Sequence, residues 1–319
     1  MINKIKIIST LGPSSLNSHF LNYANKNIDL LRLNMSHQNQ KQLIRNIKYI
    51  KKFTNCPICI DTEGAQIRSK FKNRKLLKIN SIVKIRSKNS KFFNLYPQYV
   101  LKKLKLNDVL NIGFENLKIK IIKINKENFL AKVISSGYLE NNKGIHLENR
   151  KIKLNYLTDK DLDAIEIGKK NNISNYALSF TNSSDDVRYF NNITTYKSKN
   201  IFKIETSKAV NNFEEIIKYG NNFLIDRGDL SKEIGIYKIP EIQRRLIKIK
   251  NRFKNKKIFI ATNLLESMIY NGYPTRAEAN DIYSSIEMGA DGLVLAAETA
   301  IGKYPIECVE FLKKMIKRF

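Results

Sequence analysis

The sequence predicts an α/β fold: a TIM-type (β/α)8 barrel with a small β domain inserted after the third strand. Short apolar segments alternate with longer amphipathic segments along most of the 319-residue chain. Continuous apolar segments are typical of parallel strands that helices cover on both faces. Because the alternation yields eight such segments, a closed barrel is favoured over an open sheet.

The predicted strands are apolar segments of similar length that lead into polar residues. They span residues 5–10, 30–35, 58–62, 176–180, 201–205, 223–226, 258–262 and 293–296. Amphipathic segments lie between most of them, and residues 159–169, 241–252 and 306–316 have helical spacing. A strand followed by a helix is the repeating unit of a parallel barrel.

One long segment breaks this alternation. Between residues 69 and 147 the pattern changes to short β-type segments at 82–86, 117–124 and 129–135. We therefore predict a barrel made of residues 1–68 and 148–319, and an inserted β domain made of residues 69–147. An insertion at the carboxyl end of a barrel strand is expected to act as a lid over the active face.

Composition limits the functional classes. The formal charge of +28 comes from 57 basic and 29 acidic residues, but the basic residues are scattered. Asn and Ile are also abundant, so we interpret the charge as compositional bias and treat nucleic-acid binding as a minor alternative. Three cysteines exclude a disulfide scaffold, and Cys56 and Cys59 are expected to be buried and structural. Without a secretory or membrane-spanning pattern, we expect a cytoplasmic protein.

Charged residues concentrate at the carboxyl ends of the predicted strands, which meet at one mouth of a barrel. Glu205 and Asp229 are the kind of carboxylates that hold Mg²⁺. Arg32 and Lys203 supply positive charge for a phosphate group. Gly228 and Asp229 follow a strand, where backbone N–H groups can face an anion. The alternative interpretation is a layer of structural ion pairs that closes the barrel.

Ten motifs follow one another along the chain. They are TLGPSS at 10–15, RLNMSH at 32–37, DTEGAQIR at 61–68, LTDKD at 157–161, KIE at 203–205, RGDL at 227–230, ATNLLESM at 261–268, PTRAEAND at 274–281, ETA at 298–300 and GKYP at 302–305. On these motifs the chain resembles the pyruvate kinase family over essentially its whole length.

The resemblance implies transfer of the phosphoryl group of phosphoenolpyruvate to ADP, with pyruvate and ATP as products in glycolysis. It implies that Lys203, Thr262 and Arg32 are catalytic. Lys203 would face the phosphoryl group, and Thr262 would lie near the side from which the enol is protonated. The same three residues, together with Gly228 and Asp229, would bind the substrate.

The resemblance also implies binding sites for ions and nucleotide. Glu205 and Asp229 would hold Mg²⁺. The residues implied for K⁺ are Asn34, Ser36, Asp61 and Thr62. The residues implied for ADP and ATP are Arg32, Asn34, His37, Arg68 and Lys160.

The chain departs from the family pattern at several positions. Ala65 and Gln66 replace a proline and a charged residue, so the K⁺ requirement stays open. Ala296 replaces a serine thought to join the proton relay, and Asp226 adds a negative charge beside the carboxylate site. The lid turn of the family is replaced at residues 113–116. Glu298 is expected to be structural.

Two further expectations concern assembly and function. The resemblance implies a C-terminal α/β domain that we expect to be absent here, and a homodimer through the barrel face near Thr275 to Asp281. Besides an active kinase, we keep a catalytically impaired relative as an alternative. Such a protein would bind phosphoenolpyruvate or pyruvate, or act as a partner subunit.

Overall fold

A computed structural model describes residues 5–64, 66–86, 92–113, 117–125, 128–148, 150, 152, 154–195 and 197–319. The chain divides into two compact units. One runs from the amino terminus to Gly64 and resumes over Tyr156–Phe319, and the other is Ala65–Asn155. The limits of the inserted domain that the sequence indicates, residues 69 and 147, remain a prediction.

The first part of the larger unit alternates strands and helices. Its elements are β1 (Lys6–Thr10), α1 (Ser18–Asn27), β2 (Leu30–Asn34), α2 (Gln40–Phe53) and β3 (Ile58–Asp61). In α2, Leu43, Ile47 and Ile50 form a buried stripe at helical spacing, and Asn39 starts the helix with a reciprocal capping box. The helix is therefore fixed both by its cap and by its apolar face.

The smaller unit is an antiparallel β structure. Its strands are β4 (Ile67–Lys70), β5 (Lys75–Leu77), β6 (Ile82–Arg86), β7 (Asn94–Tyr96), β8 (Val109–Ile112), β9 (Leu117–Ile124), β10 (Asn128–Ser135), β11 (Gly137–Leu139) and β12 (Gly144–Leu147). Seven pair in the order β6-β10-β9-β8-β12-β4-β7, and a bridge connects Ile85 of β6 with Phe93, the residue before β7. The sheet is therefore barrel-like, and it has its own apolar core.

The chain then returns to the larger unit. Its remaining elements are α3 (Asp159–Lys170), β13 (Asn175–Leu178), α4 (Ser184–Ile193), β14 (Lys199–Ile204), α5 (Ser207–Asn211), α6 (Phe213–Tyr219), β15 (Asn222–Asp226), α7 (Arg227–Ile234), α8 (Ile239–Asn251), β16 (Lys257–Ala261), α9 (Arg276–Glu287), β17 (Gly292–Leu295), α10 (Ala297–Ala300) and α11 (Pro305–Arg318). Short 3-10 helices occur at Met35–His37 and Glu266–Ile269, among other places.

Eight parallel strands close into a barrel in the order β1-β17-β16-β15-β14-β13-β3-β2. Small and branched side chains such as Ile8, Ala177 and Val294 fill its interior, while a larger apolar core lies between the strands and the helices. The predicted fold class, a TIM barrel with an inserted small β domain, is confirmed. Several strands end one residue earlier than predicted, which leaves Thr62, Glu205 and Thr262 just beyond the last paired residue.

Cys56 and Cys59 are buried and free, as predicted, and so is Cys308. Cys59 belongs to the barrel interior and Cys56 to the outer core, so the two thiols do not form a redox pair. Burial raises the pKa of Cys56 and of Cys308 to about 12. Within the described residues, no helix is both long enough and apolar enough to cross a bilayer.

Candidate active site

The candidate site lies at the carboxyl ends of the barrel strands. Arg32 belongs to β2, Asp61 ends β3, and Lys203 is the next-to-last residue of β14. Asp226 ends β15, and Glu205 directly follows β14. Because the strands are parallel and adjacent, their polar carboxyl-terminal residues converge although their preceding residues are apolar.

Lys203 is the centre of this cluster and is only 5% exposed. Its Nζ atom lies 2.9 Å from Glu205 Oε1, 3.4 Å from Asp61 Oδ2 and 3.6 Å from Asp226 Oδ2. Burial alone lowers the pKa of this ammonium, but the three carboxylates outweigh burial and hold the pKa above its ordinary value. The three carboxylates therefore favour the charged form of Lys203.

Three carboxylates form a group that suits a divalent cation. One oxygen from each of Glu205, Asp226 and Asp229 lies within 4.8 Å of the others. Glu205 Oε2 accepts a hydrogen bond from the Phe180 amide at 2.7 Å. Glu205 Oε1 faces the Lys203 ammonium, whose Nζ atom lies 2.9 Å away. Burial raises the pKa of Glu205, and Lys203 opposes that rise.

The chemistry of this donor set fits Mg²⁺. Mg²⁺ prefers one or two carboxylates and completes its shell with water or substrate oxygens. Glu205 is nearly fully buried and Asp229 is half-buried, so one ligand is rigid and the other can be reached from solvent. Asp229 also pairs with Lys232 at 2.8 Å, which a bound cation would displace or share.

Arg32 and the end of β3 supply a second charged group. Arg32 Nε donates to Thr10 Oγ1 at 2.9 Å, and its Nη1 atom lies 3.4 Å from Asp61 Oδ2. That Nη1 atom is buried and has no hydrogen-bond partner among the described residues. A buried guanidinium nitrogen without an acceptor is suited to receive a phosphate oxygen.

The residues predicted for K⁺ lie on neighbouring strand ends. Asn34 and Asp61 are register partners in β2 and β3. Ser36 follows in the 3-10 helix, where its amide donates to Asn34 Oδ1 at 2.9 Å. Thr62 Oγ1 accepts from the Ser179 amide at 2.9 Å. Side-chain and backbone oxygens are therefore abundant here, as a hard monovalent cation requires.

Thr262 has an unusual backbone conformation. It follows β16 with a φ of 70°, in the left-handed region that a β-branched residue rarely adopts. Its hydroxyl accepts a hydrogen bond from the Gly228 amide at 2.8 Å. Arg227 donates from Nε and Nη2 to the Thr262 carbonyl and pairs with Asp281 at 2.7 Å. Arg227 therefore fixes the strained residue from its carbonyl side.

Lys160 is held by groups of the barrel itself. Its Nζ atom donates to the Met35 carbonyl and to Glu63 Oε2, the latter at 2.8 Å. Asp161 receives hydrogen bonds from the amides of Glu63 and Gly64 and from both donor groups of Thr158. Burial raises the pKa of Asp161 to about 6, although these hydrogen bonds oppose the rise.

Comparison with known proteins decides the family. A family model described as pyruvate kinase, barrel domain, matches residues 2–309. The pyruvate kinase of Thermotoga maritima is 31% identical over 98% of this chain and 70% of its own length. That of Buchnera aphidicola subsp. Schizaphis graminum is 35% identical over 99% and 70%, and that of Methanocaldococcus jannaschii is 33% identical over 99% and 70%.

The chain belongs to the pyruvate kinase family. The resemblance predicted from its motifs is thereby confirmed, and so is its class as a phosphotransferase. Pyruvate kinases use Mg²⁺ and K⁺ in general, and the carboxylates and oxygens described above are the groups such ions require. The chain spans about 70% of the length of these relatives.

The other residues that the pyruvate kinase motifs single out have different surroundings. His37 is exposed at the end of its 3-10 helix. Arg68 belongs to the smaller unit, where its Nη1 atom lies 3.5 Å from the Asn142 carbonyl. Gln66 is buried in that unit. Ala65 and residues 114–116 of the replaced lid turn lie outside the described residues.

The structural interpretation of Glu298 agrees with its contacts. It is nearly fully buried and accepts hydrogen bonds from the amides of Ala296 at 2.7 Å and Leu265 at 3.2 Å. The carboxylate thus ties the turn after β17 to the loop after β16. Ala296 itself directly precedes α10 and has no side-chain group to donate a proton.

Sequence reasoning missed three groups of this pyruvate kinase site. Ser179 donates to the Thr62 carbonyl at 2.7 Å and lies 3.2 Å from Lys203 Nζ. The sequence feature that could have indicated Ser179 is its position as a polar residue near the carboxyl end of an otherwise apolar predicted strand. The other two groups are Glu63, which pairs with Lys160, and Arg227, which donates to the Thr262 carbonyl. Each contact connects residues far apart in sequence, so no local pattern indicated it.

Proposed function

We propose that this chain catalyses Mg²⁺-dependent transfer of the phosphoryl group of phosphoenolpyruvate to ADP in cytoplasmic glycolysis, giving pyruvate and ATP. The observation that carries the proposal is the buried Lys203 ammonium, which lies among Asp61, Glu205 and Asp226 at the mouth of the barrel. Catalysis is assigned to the barrel unit, because these residues all belong to it.

Phosphoryl transfer needs positioning and charge neutralisation more than covalent assistance. Lys203 is the residue proposed to face the phosphoryl oxygens, since its ammonium stays charged and is held from three sides. Arg32 is proposed to bind the same group through its Nη1 atom, which lies 3.4 Å from Asp61 Oδ2 but makes no hydrogen bond among the described residues. Fixed positive groups in a buried site stabilise developing negative charge without reorganisation.

Glu205 and Asp229 are the proposed Mg²⁺ ligands. When bound, the ion would neutralise charge on the phosphoryl oxygens and orient the substrate. Asp229 can exchange its contact with Lys232 for a cation because both side chains are partly exposed. The Gly228 and Asp229 amides are proposed to receive the substrate carboxylate. For Gly228 this requires the hydrogen bond to Thr262 to be given up or shared.

Thr262 is proposed to stand on the side of the enol that is protonated. Its hydroxyl is both an acceptor, from the Gly228 amide, and a donor, to the Ala261 carbonyl. A hydroxyl with these two partners can pass a proton only after one of them is released. Because Ala296 offers no hydroxyl, protonation is the step that we expect to be slow.

The proposal for K⁺ and nucleotide follows the motif residues. Asn34, Ser36, Asp61 and Thr62 are proposed to hold K⁺, and the neutral Gln66 leaves the size of the K⁺ effect to measurement. Nucleotide binding is assigned to Arg32, Asn34, His37, Arg68 and Lys160. Lys160 would have to release Glu63 to reach a phosphate, so weak nucleotide binding is expected.

Self-association is part of the proposal. The segment from Thr275 to Asp281 contains the start of α9, and two exposed aromatic residues precede it. Tyr270 and Tyr273 are 71% and 86% exposed, which is unusual for large aromatic side chains unless they are covered by a partner. A second copy of this chain is the proposed partner. Light scattering that gives the mass of one chain at micromolar concentration would contradict it.

The decisive experiment measures pyruvate formation from phosphoenolpyruvate and ADP with Mg²⁺, with and without K⁺. Lys203→Met is expected to abolish activity, whereas Lys218→Met, which removes an exposed lysine of α6, is expected to leave it unchanged. Folded protein without turnover over a range of nucleotides would overturn the proposal. Binding of phosphoenolpyruvate without turnover would then favour the catalytically impaired alternative.

A further inference from the structure

Asp226 is a buried carboxylate whose role the proposed mechanism leaves unassigned. It ends β15, is 6% exposed, and offers an oxygen within 4.8 Å of the ligand atoms of Glu205 and Asp229. Although it is the N-cap residue of α7, its side chain accepts no hydrogen bond from that helix. Its position is therefore not explained by helix capping.

The contacts of Asp226 do not compensate for its burial. Within the described part of the chain its ion pair is with Lys203 Nζ at 3.6 Å, the longest of the three carboxylate distances to that ammonium. Lys203 is shared with Asp61 and Glu205, which lie closer. A buried carboxylate is costly unless it is paired or coordinates a metal. A second positive charge near Asp226 would relieve this cost.

The charge balance of the cluster points the same way. Four carboxylates, those of Asp61, Glu205, Asp226 and Asp229, face three cationic groups, those of Arg32, Lys203 and Lys232. Counted over these seven groups of the described residues, with every carboxylate ionised, the cluster carries one excess negative charge. Asp226 is the one of these four carboxylates that departs from the family pattern, so it is the residue that adds the excess charge, and such an excess favours binding of a cation.

The geometry points to Asp226 as a third carboxylate for the divalent cation, which it holds together with Glu205 and Asp229. This inference rests on the proposed function only for the identity of the cation site. It implies that the chain binds the divalent cation before substrate arrives, because three carboxylates supply what the oxygens of a substrate would otherwise provide.

Metal binding without turnover tests the inference. Mn²⁺, which takes the same oxygen ligands, is titrated into purified protein, and the free ion is followed by its electron paramagnetic resonance signal. Asp226→Asn is expected to weaken Mn²⁺ binding about tenfold or more, a change of about 1.4 kcal/mol. Asp185→Asn, which neutralises an exposed carboxylate of α4, is the matched control and is expected to bind as the wild type does.

A second pair of variants separates a ligand from a residue that acts through Lys203. Both variants are compared in the Lys203→Met background. If Asp226 is a ligand, Asp226→Asn still weakens Mn²⁺ binding there. If Asp226 only positions Lys203, the added substitution has no further effect on Mn²⁺ affinity. Asp226→Ala repeats the test if the Asn variant does not fold, as judged by circular dichroism.

The results separate this inference from the proposed function. Wild-type protein that binds Mn²⁺ tightly but forms no pyruvate would refute the proposed function and leave the role of Asp226 intact. Equal Mn²⁺ affinity in wild type and Asp226→Asn, or no Mn²⁺ binding by the wild type without phosphoenolpyruvate, would overturn the inference.

Discussion

Asp161 is the buried residue whose loss should destabilise the barrel most clearly. Its carboxylate accepts hydrogen bonds from the Glu63 amide at 2.7 Å, the Gly64 amide at 3.2 Å, the Thr158 amide at 3.1 Å and the Thr158 hydroxyl at 3.0 Å. Asp161→Ala removes the two oxygens that accept these four hydrogen bonds, at a site with no solvent exposure. The amides of Glu63, Gly64 and Thr158 then lose this acceptor, whereas the Thr158 hydroxyl still lies 3.0 Å from Glu63 Oε1.

The magnitude follows from the number of donors left unsatisfied. A hydrogen bond to a charged group contributes about 1.5–3 kcal/mol, and such contributions are less than additive in one network. We expect Asp161→Ala to lower the free energy of unfolding by about 4 kcal/mol. Asp186→Ala is the matched control, because Asp186 occupies the same capping-box position in α4 but is only half-buried. Loss of a cap alone costs about 1 kcal/mol.

Urea unfolding at pH 7.5, followed by far-ultraviolet circular dichroism, measures both variants. At that pH the Asp161 carboxyl is ionised, since its pKa is about 6. The midpoint for Asp161→Ala is expected well below that for Asp186→Ala. If the two free energies agree within about 1 kcal/mol, the Glu63 and Gly64 contacts do not stabilise the fold and the reasoning fails.

Four further outcomes are expected. Lys203→Met should lower kcat at least ~10²-fold because it removes the positive charge proposed to face the phosphoryl group, and steady-state assays of pyruvate release will show it. Arg227→Lys should lower kcat about tenfold with little change in Mn²⁺ affinity, because lysine lacks the planar fork that holds the Thr262 carbonyl; unchanged kcat would contradict this role. All three thiols should resist iodoacetamide at pH 8 in folded protein and react in urea, since burial raises each thiol pKa; mass spectrometry will count the adducts on Cys56, Cys59 and Cys308. Because the unfolded thiols ionise near pH 9, the same groups should reduce stability as pH rises above that value.

The strands and the fold class could be predicted from sequence because periodicity is a local property. The apolar segment of each barrel strand and the change of pattern in the inserted domain lie within a few residues. Motif order likewise indicated Lys203, Glu205 and Asp61. In the structure the carboxylates of Glu205 and Asp61 lie 2.9 Å and 3.4 Å from the Lys203 ammonium.

Pairings across the barrel could not be predicted in the same way. The contact of Lys160 with Glu63 spans 97 residues, and that of Gly228 with Thr262 spans 34. Lys160, which the motifs assigned to nucleotide, and Gly228 and Thr262, which they assigned to substrate, therefore contact other residues of the barrel. The left-handed backbone of Thr262 was also beyond sequence reasoning, because a threonine gives no local indication of a positive φ.

The pairing of the first and last strands of the smaller unit has a consequence for how the chain folds. β4 and β12 are antiparallel neighbours, with Ile67 opposite Ile145. Residues near the two ends of the insertion are therefore brought side by side once that sheet forms. A contact such as that between Ile58 and Asn175, 117 residues apart, then closes a far shorter effective loop. Early formation of the inserted sheet would thus speed closure of the barrel, and a variant with that sheet broken should refold more slowly than its loss of stability alone explains.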